Sequence, residues 1–146
     1  MANRLSTGLV NKMLATGPFK ATMALGFIDV YTGSQPATAD VVPTGTKLCT
    51  LFSDGASTGL SLEAGATDGV ISKLASQTWS GTILADGTAG WFRFRAVGDT
   101  GVLSYTEARY DGACATSGAE LNLSTLGLVT GAVLTVSAAT FTLPMA

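Results

Sequence analysis

The chain has 146 residues and a mass of 14.8 kDa, with 47% hydrophobic but only 12% charged residues. A soluble domain usually carries about 25% charge, so this surface must be built largely from Thr, Ser, Gly and Ala, which suits packing against other subunits. The net charge of −2 and pI of about 4.8 exclude broad phosphate contact by Lys and Arg, and the absence of histidine excludes Ser-His-Asp and Cys-His catalysis.

The length fits one domain over 1–146, with a helical segment or arm at 1–25 and a β-rich body at 27–143. At the N-terminus Ser6 or Thr7 can cap a helix whose apolar stripe is Leu9, Val10, Met13 and Leu14, ended by Gly17-Pro18. A further turn or two is expected from Phe19 to Leu25, with Phe19, Met23 and Leu25 on one side. This segment reads either as an arm that docks on a neighbour or as a helix that plugs the end of a β-sandwich. Lys12 and Lys20 interrupt any signal-peptide core, so the segment reads as mature protein made in a cytoplasm. No apolar run is long enough for a transmembrane helix.

From Phe27 the pattern becomes short β-rich runs: FIDVYT, KLCTLF, LSLE, GVISKL, WSGTILA, GWFRFRAV, VLSYTEAR, AELNL and AVLTVSAATFTL. Their spacing of about ten residues predicts an all-β, mainly antiparallel sandwich or barrel. Asp-Gly pairs at Asp54, Asp68, Asp86 and Asp111 are expected to form tight hairpin turns in a meander or Greek key.

Chemistry-bearing motifs are scarce. No GxGxxG or GxxxxGK[ST] loop is present, the carboxylates are scattered, and Cys49 and Cys114 lie in no CxxC pair, so neither a cofactor nor a metal is expected. The two cysteines read as free thiols, with a single disulfide as the alternative in an exported protein. Asp99-Thr100-Gly101 matches an aspartic-protease triplet, but Gly98 interrupts the apolar strand that such a site needs, and the triplet reads as a turn. Asn122-Leu123-Ser124 is a glycosylation sequon by pattern only.

The stretch GTAGWFRFRAVGDTG is the exception to the low charge. Strand alternation puts Phe92, Phe94 and Ala96 on a core face and Trp91, Arg93, Arg95 and Val97 on the other. Three uses compete for the second face: an exposed sheet surface with arginines paired to Glu63, Glu107 or Glu120, a subunit interface, or a nucleic-acid contact. The last has the smallest support, since no Lys cluster lies nearby. Trp79, Trp91, Tyr105 and Tyr110 are candidates for stacking on sugars.

The ordered phrases RLSTGLVNKML, FIDVYTGSQPATAD, GVISK, WSGTI, GTAGWFRFRAVGDTG and DGACATSGAELNLSTLGLVTGAVLTVSAATFTL resemble small structural proteins of tailed-bacteriophage virions, most of all capsid cement or decoration proteins. The resemblance covers nearly the whole chain. It implies a non-enzymatic protein with a jelly-roll-like β-sandwich that sits on the capsid exterior and bridges major capsid subunits, acting as a homodimer or homotrimer without membrane or direct nucleic-acid contact. A tail or neck component, or a carbohydrate-binding receptor module, is the alternative. On this resemblance Arg4, Leu5, Leu9, Trp91, Arg93 and Arg95 are the expected interface residues.

Overall fold

The computed structural model describes residues 3–143. Residues 1–2 and 144–146, the ends of the expected domain, lie outside the described residues. The elements in chain order are β1 (Arg4–Leu5), α1 (Thr7–Ala15), α2 (Phe19–Met23), β2 (Phe27–Thr32), β3 (Lys47–Leu51), β4 (Val70–Ser72), β5 (Ser80–Thr82), β6 (Gly87–Arg95), β7 (Arg109–Ala115), β8 (Leu121–Leu123), β9 (Gly127–Leu128) and β10 (Val133–Thr142). The protein is mostly β, a curled sheet forming a half-barrel with short helices.

The strand order is β3-β2-β6-β7-β8-β10-β4, with β1 added to β7, β5 to β10 and β9 to β6. Every pair is antiparallel except β7–β8. Reciprocal backbone bonds between Phe52 and Ser80, of 2.8 and 2.9 Å, tie the end of β3 to β5. Alternation in β6 sends Phe92 and Phe94 into the core as expected. There they meet Phe141 of β10 at centroid distances of 6.1 and 5.1 Å, and Tyr110 of β7 joins Phe141 edge-on at 5.4 Å. Phe19 and Met23 of α2 close over this cluster, so the helical segment covers the core of its own chain.

Ser6 is the N-cap of α1. Its hydroxyl oxygen accepts from Leu9 N at 3.1 Å and from Arg109 N at 2.9 Å, and its O–H donates to the Glu107 carbonyl at 2.7 Å. Leu9 is buried and Met13 packs on the core, but Val10 and Leu14 face outward, so the expected apolar stripe is only half covered.

Several expected strands differ. VLSYTEAR is a loop up to Arg109, because the Ser104 hydroxyl accepts from the N–H groups of Thr106 and Glu107 and diverts them from a ladder. LSLE contributes a lone bridge from Leu62 to Lys73, and the Ser61 N–H is taken by the Gln77 side chain. Of the Asp-Gly pairs, only Asp68-Gly69 makes a tight two-residue hairpin, with φ of 53° and 76° and reciprocal Thr67–Val70 bonds. Asp54 instead accepts from the N–H groups of Ala56, Ser57 and Thr58 within a loop. Asp86 receives the N–H and hydroxyl of distant Thr130. Asp111-Gly112 lies inside β7, where a Cβ on Gly112 would come within 2.8 Å of the Phe92 ring. The hairpin series that supported a meander is therefore absent.

Leu25 joins α2 to β2 with φ of 60° and is 55% exposed. Its N–H donates to the Leu60 carbonyl at 3.0 Å, and Gly59 packs so closely that a Cβ there would sit 2.1 Å from the Leu25 carbonyl oxygen. These neighbours hold a β-carbon-bearing residue in a left-handed conformation that costs roughly 1–2 kcal/mol. Leu25→Asn should therefore raise stability by about 1 kcal/mol and the melting temperature by roughly 2–4 °C. A melting temperature that falls in a thermal scan would contradict this account of the turn.

Candidate functional site

The face of β6 opposite the aromatic core carries Trp91, Arg93 and Arg95. The ladder places Asp29 of β2 and Asp111 of β7 on either side of Arg93, and Tyr31 beside Trp91. Arg93 donates to both Asp111 oxygens at 2.8 and 2.9 Å and to the Val41 carbonyl at 2.7 Å. Arg95 reaches diagonally, its Nε donating to Asp29 Oδ2 at 2.7 Å, while Lys47 stands 3.6 Å from the same oxygen. Asp29 Oδ1 accepts from the Thr50 hydroxyl at 2.6 Å. Tyr31 stacks on Trp91 at a centroid distance of 4.7 Å.

Two residues before Asp111 on β7, Arg109 forms a second bidentate pair. Its Nε and Nη2 donate to Asp99 at 2.7 and 2.9 Å. Its remaining N–H groups reach the carbonyls of Ala39, Asp40 and Val102. One guanidinium thus binds two loops, 33–46 and 97–106, onto the sheet. Asp40 continues the connection, because its carboxylate accepts the Thr7 N–H and hydroxyl, both at 2.7 Å, at the start of α1. A carboxylate there is also favoured by the helix dipole.

The expected exposed cationic face is thus corrected. Arg93 and Trp91 are 1% and 0% exposed, because the two loops fold over them and supply backbone acceptors. The partners of Arg93 and Arg95 are Asp111 and Asp29, not Glu63, Glu107 or Glu120. Among the expected interface residues Leu9 is also buried, Leu5 and Arg95 are half-buried, and Arg4 is exposed. The Trp91 indole N–H is buried without a hydrogen-bond partner among the described residues. Of the aromatics considered for sugar stacking, Trp79, Trp91 and Tyr110 are core residues and only Tyr105 is exposed.

Asp99-Thr100-Gly101 is a turn in which Gly101 N donates to Asp99 Oδ1 at 2.8 Å. Burial pushes the Asp99 carboxyl up, but the Arg109 guanidinium and the Gly101 N–H outweigh it and hold the group below the usual carboxylate range. At Asp111 burial wins, and the carboxyl is raised despite Arg93. Cys49 and Cys114 are free, with thiols pushed up by burial to about 11 and 12. They are protonated at neutral pH and make poor nucleophiles. Among the described residues no group of His, Cys, Asp or Glu could hold a metal ion.

Several hollows open on the described surface, two of them of distinct chemistry. One is a cleft of about 160 Å³ between Tyr31, Lys47, Arg95 and the turn at Thr100 and Gly101. The other is an apolar groove of about 430 Å³ walled by Met13, Phe19, Ile71, Phe141 and Leu143. A neighbouring hollow formed by Leu5, Val10, Met13, Leu14 and Leu143 shares its wall. Comparison with known proteins finds no matching family model, no matching curated protein and no matching solved structure.

Arg109 was not singled out by sequence because it closes the run VLSYTEAR, which gave no reason to bury its charge. Its cross-strand neighbour is Arg95, and the Arg-x-Asp spacing of Arg109 and Asp111 matches the alternation of Arg93 and Arg95. That complementary spacing was the available signal. Arg109→Met would remove the guanidinium from Asp99 and from three backbone carbonyls, leaving the Asp99 carboxylate without its counter-charge. It should cost about 3–5 kcal/mol in denaturant unfolding, against a total of about 5–15 kcal/mol for a domain, and a loss below 1 kcal/mol would refute the clamp.

The depressed Asp99 group also fixes a pH dependence. Its contribution is complete above the unfolded carboxyl pKa of about 3.9 and is lost as pH falls through the lower folded value. Asp111, raised on folding, acts in the opposite sense. Asp99→Asn should lower stability at pH 6 and flatten its decline between pH 5 and 2, and curves that stay parallel to the native protein would contradict the assignment.

Proposed function

We propose that the chain is a non-enzymatic structural protein of a tailed-phage virion. On this reading it binds the capsid exterior, bridges major capsid subunits and acts as a homodimer or homotrimer, after synthesis in the bacterial host cytoplasm. The jelly-roll-like arrangement implied by the resemblance belongs to the same proposal.

The observation that carries it is the outer side of α1. Leu14 is 81% exposed and Val10 40%, beside the apolar groove and hollow, while the helix itself is rigidly anchored by Ser6 and Asp40. An apolar surface on a fixed element in a charge-poor chain is what an assembly contact requires. The chemistry of the remaining groups supports the same reading. The buried arginines and carboxylates are committed to one another, and the thiols are held protonated. A protein that binds the assembled lattice and not the free subunit stabilises that lattice by mass action.

The test is co-sedimentation with DNA-emptied phage heads that lack this protein. Binding of many copies at a fixed ratio is expected, and Leu14→Glu, at an exposed position, should weaken it at least about tenfold by burying an unpaired charge. No binding, or a handful of copies per head, would overturn the capsid assignment.

A further inference from the structure

The cleft beside β2 differs from the rest of the charged network in its balance. Arg93 is neutralised by Asp111 and Arg109 by Asp99. At the cleft, however, one carboxylate serves two cations, since Asp29 faces both Arg95 and Lys47. One positive charge is left over.

The donors are also incompletely used. Arg95 spends its Nε on Asp29, while its Nη1 and Nη2 donate to no group among the described residues. Its plane is held over the Phe27 ring at 5.1 Å, which limits its freedom. Tyr31 is 6% exposed, lines the cleft, and its hydroxyl makes no hydrogen bond among the described residues. Lys47 is 42% exposed at the rim, and Thr100 adds an exposed hydroxyl on the opposite wall.

We propose that this cleft is a binding site for a single carboxylate group. The planar fork of a guanidinium matches the two oxygens of a carboxylate, and the Tyr31 hydroxyl and Lys47 ammonium supply further donors. The volume of about 160 Å³ is ample for a carboxylate head group. The charge sets the preference as well. One surplus cation balances a monoanion, whereas a phosphate dianion would face Asp29 and Asp99 with a charge uncompensated. The site does not depend on the assembly proposal. If that proposal holds, the carboxylate belongs to an Asp or Glu of the neighbouring subunit.

The experiment is a ¹⁵N-resolved NMR titration of the whole protein with sodium acetate, against sodium chloride at the same ionic strength. Saturable shifts of the Arg95 Nε–H and of the Thr100 and Gly101 amides are expected, with a Kd on the order of 1–10 mM. Lys47→Gln should weaken the affinity at least about fivefold and Lys47→Glu should abolish it, with the remaining resonances unchanged. Shifts that chloride reproduces, that fail to saturate, or that survive Lys47→Glu would overturn the site. Two further ligands separate the sources. Tighter binding of a blocked Gly-Glu-Gly peptide than of succinate assigns the site to a protein side chain, and the reverse assigns it to a small free acid. Lys47→Glu also keeps this proposal distinct from particle binding. A chain that sediments with heads but gives no acetate shift fails only here, and one that binds acetate but not heads fails only there.

Discussion

A buried guanidinium dictates its surroundings, because its desolvation costs several kcal/mol unless its N–H donors find acceptors. Arg93 and Arg109 are both buried, on adjacent strands and on the same side of the sheet. Each takes both oxygens of one aspartate, and their remaining donors draw in the carbonyls of Ala39, Asp40, Val41 and Val102. Two loops without regular structure are thereby fixed against the sheet. The order passes on to α1, because Asp40, held through its carbonyl by Arg109, receives the first N–H of the helix through its carboxylate. The Ser6 hydroxyl adds a second attachment, accepting from the Arg109 N–H. The angle at which Val10 and Leu14 meet solvent thus traces back to a guanidinium on β7.

Much of the architecture follows from local pattern. The run FIDVYT coincides with β2, and the alternation of GWFRFR places Phe92 and Phe94 in the core. Ser6 caps its helix as its residue type favours. The errors share a cause, which is that a polar residue was read by its commonest local use. Asp111-Gly112 has the composition of a turn, yet Asp111 is opposite Arg93 and Gly112 makes room for the Phe92 ring. For Arg93 and Arg95 the sequence suggests glutamate partners on an exposed face or a subunit interface, because Asp111 and Asp29 lie on other strands and only the register brings them together. The sites of VLSYTEAR and LSLE were lost as strands to side chains that capture backbone N–H groups, a competition invisible to hydrophobic period.

The functional picture follows from what the network leaves unused. The buried pairs commit Arg93, Arg109, Asp99 and Asp111 to one another. Outside them stand an apolar helix face with an adjoining groove, and a small cleft with one surplus cation and donors in Arg95 and Tyr31. The low charge of the exterior and the protonated thiols accord with the proposed structural role.

The central claim is that the paired charges, and not generic burial, hold the loop-covered face in place. A double-mutant cycle on Arg93→Met and Asp111→Leu, read by denaturant unfolding, tests it most directly. The account predicts that each single change leaves a buried charge unpaired and costs about 3–5 kcal/mol, while the double change recovers a large part of that loss. Two single losses that simply add, or singles that cost almost nothing, would contradict it.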